Sequence, residues 1–224
     1  MEGLRAARGA GETGLQDMGK TGILGGTFDP IHRAHLVMGR RAMEEEGLDR
    51  VLFMPSKIPP HKMGRNISPE SVRRDMVELA VAGEAGFYFS DFEFRRQEIT
   101  YTARTLSLFQ EEQPEEELYF ILGGDSLFYF EKWYRPEEIL RHATLLAFSR
   151  DGLSGRQMEE RANILMGRFG GEIRVISMPW MEMSSSGIRE RIARGESVEE
   201  YLPHSVYRYI LETGCYHGKR IRES

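Results

Sequence analysis

Cysteine is almost missing: Cys215 is the only one in 224 residues, which excludes an internal disulfide and any cysteine-based zinc site. Basic residues are outnumbered, 30 against 35 acidic, so the formal charge is −5 and the pI is near 5.8. A general nucleic-acid binder needs a basic face for its phosphate contacts, so that class is set aside. A small phosphorylated ligand needs only a few local donors and stays open. No run approaches the ~18 consecutive apolar residues of a membrane-spanning helix, and the mean hydropathy is −0.46. Residues 1–19 have no apolar segment and no serine, so they read as neither a secretory signal nor a transit peptide but as a loose tail. What is present is core material. With the 24 glycines counted and the 9 tyrosines left out, the apolar share is about 47%, inside the globular range. The composition points to a cytoplasmic enzyme or binding protein in which Cys215 is passive.

From Lys20 onward two kinds of segment alternate. Short β-branched and aromatic runs occur at Thr21–Thr27, Val51–Met54, Phe87–Phe92, Leu118–Leu122, Thr144–Phe148 and Ile173–Ser177. Most are separated by stretches of helical spacing. Val72, Met76 and Leu79 follow Ser68-Pro69-Glu70, a cap with proline at the first helical position. Ala103, Leu106 and Phe109 recur every three residues. Ser154 with Gln157 reads as a capping box before a helix through about Arg168. Pro203 opens a last helix that carries Val206 and Ile210 and is closed by Gly214. Six strands alternating with helices predict an α/β fold, a single doubly wound Rossmann-like domain over residues 20–224 with a mostly parallel sheet. Ligands in such folds collect at the carboxyl ends of the strands.

Two strings compete for the phosphate-binding role. Gly14–Thr21 satisfies the letters G-x-x-x-x-G-K-[ST], but that loop works only between a strand and a helix. Here Thr21 leads into a strand, so the match is a decoy. The second string, Gly25-Gly26-Thr27-Phe28-Asp29-Pro30-Ile31-His32-Arg33-Ala34-His35, begins at the carboxyl end of the first strand. Its glycines let a ligand approach the backbone, and Thr27 adds an amide and a hydroxyl. His32 and His35, three apart, share a face near a helix start, where the dipole favours an anion. The same pair suits a metal face or ordinary surface, although a metal site wants a third ligand and nothing nearby supplies an obvious one.

The whole string resembles the signature of the nucleotidyltransferase superfamily with the H-x-G-H motif, and within it the bacterial nicotinate-nucleotide adenylyltransferases, which open GGTFDPIH-x-GH. Ala34 departs from it, standing where the family has glycine; its methyl is expected to face the close approach of backbone and nucleotide. The resemblance runs along nearly the whole chain after residue 20. Pro59-Pro60-His61-Lys62 is similar to the family's P-P-H-K segment. Thr100-Tyr101-Thr102 is similar to its S/T-Y-T, Gly123-Gly124-Asp125-Ser126 to its G-x-D-S, and Trp133-Tyr134 to its aromatic pair. Met183-Ser184-Ser185-Ser186-Gly187-Ile188-Arg189 is similar to I-S-S-T-x-I-R, with Ser186 for the usual threonine.

That resemblance implies adenylyl transfer from ATP to nicotinate mononucleotide, giving nicotinate adenine dinucleotide and pyrophosphate, a step of NAD biosynthesis. It implies ATP phosphates at His32 and His35, and the polyphosphate at Lys62 and Arg189 with Ser185 and Ser186. Gly25, Gly26, Thr27 and Phe28 would form the loop under the nucleotide. Asp125, after Gly123, would hold a ribose, and Thr102, Trp133 and Tyr134 the pyridine ring. Magnesium is expected on the ATP phosphates, through water and phosphate oxygens and without a dedicated protein ligand set. The expected partners are ATP and nicotinate mononucleotide, with neither nucleic acid nor membrane. Two rivals stand beside this reading: a nucleotidyltransferase of the same superfamily acting on another phosphorylated substrate, and a non-catalytic nucleotide-binding sensor.

Overall fold

The computed structural model describes residues 19–57, 67–96, 101–149, 155–179, 181 and 183–216. Most of the expected tail, the segment 59–62 with Lys62, Thr100 and the Ser154 cap lie outside the described residues. Six strands form one sheet: β1 (Lys20–Gly26), β2 (Arg50–Pro55), β3 (Phe87–Phe89), β4 (Glu117–Gly123), β5 (Ala143–Ser149) and β6 (Ile173–Ser177). Their order is β3-β2-β1-β4-β5-β6, and every pairing is parallel. The direction of winding reverses between β1 and β4, where such folds open a crevice.

Both faces of the sheet are covered, so successive residues of one strand enter different cores. In β2, Val51 and Phe53 join one cluster while Leu52 and Met54 join the other. In β4, Tyr119 and Ile121 join the first, and Leu118, Phe120 and Leu122 the second. The first core is roofed by α1 (Arg33–Glu46), α2 (Glu70–Val81), α7 (Ser185–Ala193) and α8 (His204–Thr213). The second is roofed by α3 (Thr102–Glu112), α4 (Gly124–Tyr129), α5 (Pro136–His142) and α6 (Gly155–Phe169). Gly39 brings α1 close to the sheet, since a Cβ there would stand 2.9 Å from Phe53 Cζ.

Several local expectations shift. Pro69 is the N-cap of α2 and Glu70 its first helical residue. Leu79 is 36% exposed; the buried stripe is Arg73, Met76, Val77, Ala80 and Val81. A buried arginine sets the helix rotation one residue away from the apolar reading. The third strand stops at Phe89, because residues 92–95 form a turn in which Phe92 is still buried. Pro203 is the N-cap of α8, and Gly214 closes it in the left-handed conformation at φ 68°. Among the described residues no helix is long and apolar enough to cross a membrane.

Candidate active site

The chain leaves β1 through Gly25 and Gly26. A Cβ on Gly25 would lie 3.2 Å from Phe120 Cζ, and one on Gly26 3.2 Å from Phe28 Cζ, so even an alanine would crowd the loop. Phe28 takes a left-handed φ of 50°, an uncommon conformation for a bulky residue. Its buried ring meets His35 edge-on, with centroids 5.0 Å apart. His32 is the N-cap of α1 and His35 the third helical residue. Their rings stack at 3.8 Å with 27° between planes. The His32 main-chain N–H donates to His35 Nδ1 over 3.2 Å, so the neutral His35 ring carries its proton on Nε2. No acidic residue occupies the first turn of α1, and its dipole stays unopposed. Ala34 does not behave as expected: it is buried within the first core, and its methyl packs into protein.

From 155 residues further along, α7 is stitched to this loop. Ser184 is its N-cap and accepts from Gly187 N at 3.1 Å. Ser185 Oγ donates to the Pro30 carbonyl at 2.9 Å, which commits that hydroxyl to the protein. Ser186 stays exposed, with its Oγ 3.2 Å from Ser184 Oγ. Arg189 Nη1 donates to the Asp29 carbonyl at 2.6 Å. The two anion cradles read at opposite ends of the sequence thus stand side by side.

Across Gly25–Thr27 lies a cavity of about 640 Å³. Thr102, Asp125, Trp133 and Tyr134 line it together with the loop itself. Trp133 is braced against Phe120 at 6.2 Å and Phe130 at 5.6 Å. Tyr134 is 49% exposed and leans on Tyr101, with ring centroids 4.6 Å apart. Tyr101 is the N-cap of α3. Gly123 has open space around a would-be Cβ, whereas at Gly124 one would sit 2.9 Å from Met158 Sδ and 3.0 Å from the Phe148 carbonyl. The close approach therefore belongs to Gly124. Glu93 also lines the cavity and accepts from Thr105 Oγ1 at 2.8 Å; neither residue stood out in sequence. Among the described residues, no group of three or more His, Cys, Asp or Glu is placed to hold a metal ion.

Beneath the loop sits a frame that the motifs do not mention. Arg73 is 1% exposed and donates to four carbonyls: Thr27 at 3.0 Å, Ser56 at 2.7 Å, Lys57 at 3.3 Å and Ser68 at 3.1 Å. It thereby ties the ends of β1 and β2 to the start of α2. Burial lowers its pKa, while nearby Asp29 and Glu70 work in the opposite direction. Asp29, 3% exposed, accepts from Ser68 N at 3.3 Å and from Tyr216 Oη at 2.7 Å. The one available signal for Arg73 was its place at i−3, i−4 and i−7 to Met76, Val77 and Ala80.

Comparison with known proteins adds a family. Residues 23–191 match the cytidylyltransferase-like model. A probable nicotinate-nucleotide adenylyltransferase from Lachnoclostridium phytofermentans is 41% identical over 199 residues, covering 89% of this chain and 100% of that protein. One of the same description from Clostridium botulinum (strain Loch Maree) is 40% identical over 196 residues, covering 87% and 97%. Among solved structures, the Plasmodium falciparum nicotinic acid mononucleotide adenylyltransferase complexed with NaAD has a TM-score of 0.73 at 18% identity, covering 88% of this chain and 97% of that one. A putative nicotinate-nucleotide adenylyltransferase from Vibrio parahaemolyticus has a TM-score of 0.63 at 23% identity, covering 89% and 96%. At these identities the structures speak for the fold.

Proposed function

The chain belongs to the cytidylyltransferase-like family, and on that premise we propose that it transfers the adenylyl group of ATP to nicotinate mononucleotide, producing nicotinate adenine dinucleotide and pyrophosphate. One observation carries this reading. The loop that lines the aromatic cavity with Asp125 through Gly25–Thr27 runs on directly into the stacked histidines and into Asp29, whose carbonyl holds Arg189, so groups suited to two anionic substrates share one stretch of backbone.

An oxygen of the mononucleotide phosphate attacks the α-phosphorus in line, and the bond to the pyrophosphate oxygen breaks. With a second pKa near ~6 the attacking phosphate is already ionised at pH 7, so no general base is required. Rate enhancement comes from alignment and from donors aimed at the charge that develops. His35 Nε2–H and His32 serve the ATP phosphates at the N-terminus of α1. Arg189, Ser186 and Lys62 serve the polyphosphate. Asp125 takes ribose hydroxyls, and Trp133, Tyr134 and Thr102 enclose the pyridine ring. Magnesium would be brought by ATP and not by a dedicated set of protein ligands, and it would supply charge neutralisation. The reading places the protein in the cytoplasm.

The experiment is pyrophosphate release from ATP with a panel of phosphorylated acceptors: nicotinate mononucleotide, its amide, phosphopantetheine and a polyol phosphate. Dominant turnover with nicotinate mononucleotide is expected. Turnover only with another acceptor would move the chain elsewhere in the superfamily, and nucleotide binding without turnover would make it a sensor.

A further inference from the structure

Tyr216 lies three residues beyond the end of α8, far in sequence from every motif, yet its hydroxyl reaches Asp29, 187 positions earlier, at 2.7 Å. Its φ of 67° is left-handed, a conformation that a tyrosine holds only when its surroundings determine it. Phe28, immediately before Asp29, is left-handed as well. Two unfavourable backbones thus converge on one buried carboxylate. Burial first, and then the negative Asp29, raise the Tyr216 pKa well above its ordinary value, so at neutral pH the hydroxyl is a donor.

The geometry around Asp29 divides its oxygens. Oδ1 accepts from Tyr216, and Oδ2 accepts from Ser68 N at 3.3 Å. The Arg189 Nη1 is bonded to the Asp29 main-chain carbonyl at 2.6 Å but stands 3.9 Å from Oδ2. Asp29 and Arg189 therefore stop short of a close carboxylate–guanidinium pair. Such a pair would be strong and would draw the guanidinium down into the protein.

We propose that Tyr216 is a positioning residue: by holding the Asp29 carboxylate it keeps Asp29 from capturing Arg189, so that the guanidinium meets the polyphosphate of ATP. The inference rests on the adenylyltransferase reading for the identity of that anion. It separates two groups of the site, because neither Asp29, Arg189 nor Tyr216 lines the cavity assigned to the mononucleotide. Loss of the tyrosine hydroxyl frees Oδ1 to turn towards Arg189, and ATP must then compete with an internal carboxylate.

The test uses Tyr216→Phe, Asp29→Asn and the two together in the full chain. Tyr216→Phe raises KM for ATP about tenfold, the scale of one hydrogen bond to a charged group, and leaves KM for the mononucleotide within about twofold. Asp29→Asn removes the competing charge, so alone it leaves KM for ATP at or below the wild-type value, and in the Tyr216→Phe background it restores ATP affinity. A purely structural role lowers the active fraction, shifts kcat and shows no rescue. Unchanged KM for ATP in Tyr216→Phe, an equal rise for both substrates, or a double variant worse than either single one overturns the proposal. Should Tyr216→Phe not fold, a tenfold loss of ATP affinity in Asp29→Asn alone overturns it equally. Titration of a non-hydrolysable ATP analogue reads the same shifts without turnover. A wild-type chain that binds the analogue but makes no dinucleotide defeats the adenylyltransferase reading and leaves this one to be judged on binding.

Discussion

At His35 the ring Nδ1 accepts from a main-chain N–H, which puts the ring proton on Nε2 and fixes the ring before any ligand arrives. A donor fixed in this way acts on charge that grows in the transition state and adds less to ground-state binding. His35→Ala should lower kcat by about 10²–10³-fold with KM for the mononucleotide nearly unchanged; near-normal turnover removes His35 from the chemistry. Arg73 works differently, through the protein alone. Four carbonyls depend on its guanidinium, and an unsatisfied buried group costs roughly 1–3 kcal/mol. Arg73→Met should therefore cost at least about 3 kcal/mol, read as a lower urea midpoint at unchanged slope. A loss under about 1 kcal/mol would mean that water takes over the carbonyls. Neither Arg73 nor Tyr216 was legible as a site residue in the sequence. Their partners are carbonyls and a carboxylate on other segments, and an arginine or tyrosine on a helix face or beyond a helix end looks like surface.

The elements were far more legible than these contacts, for reasons visible strand by strand. Leu118–Leu122 and Leu145–Phe148 are buried on both faces and read as continuous apolar runs, and the observed strands extend Leu118–Leu122 and Thr144–Phe148 by one residue at each end. The apolar pattern does not show the rotation of α2, because Arg73 occupies a core position. The third strand was read too long because the following turn also buries an aromatic, Phe92. Tyr119 on β4 offers a test of one element through pH. Its hydroxyl donates to Glu117 Oε1 at 2.7 Å, and burial, followed by Glu117, raises its pKa to about 12 from the ordinary ~10. The folded state holds this proton more tightly than the unfolded one. The contribution is thus complete below pH ~10 and is lost as pH climbs from there towards 12. Tyr119→Phe should flatten the fall in folding stability above pH ~10, measured by urea titration at successive pH values. An unchanged slope would mean that Tyr119 titrates in the folded protein as it does in the unfolded chain.

Across the whole molecule, the candidate site residues gather at one end of the sheet, and this sets the two phosphate-loop strings apart. Lys20 begins β1 and Gly26 ends it, a separation of about 20 Å along an extended strand. Lys20 engages Asp49 and the Glu46 carbonyl at that far end. Lys20→Ala should keep turnover within about twofold, whereas a working P-loop lysine that touches phosphates would show a large loss. The cavity at the functional end is assembled from several elements, and its composition bears on which mononucleotide it takes. Nicotinate and nicotinamide rings offer Trp133 similar faces, so stacking cannot discriminate between them. The difference must arise at the ring substituent, where a carboxylate presents two acceptors and a carboxamide turns a donor towards one of its partners. Tyr101 and Thr102, at the start of α3, line the cavity; the first N–H groups of a helix have no intrahelical acceptor, and no acidic side chain stands in that first turn. Main-chain donors at that position favour the acid. A donor left opposed by N–H₂ costs roughly 1–3 kcal/mol, enough for ~10–100-fold per contact. We therefore expect kcat/KM for nicotinate mononucleotide to exceed that for the amide by at least about tenfold under identical magnesium and ATP. Equal values would show that α3 does not face the substituent, and a preference for the amide would point instead to the cavity's own acceptors, Glu93 and Asp125, as the groups that read it.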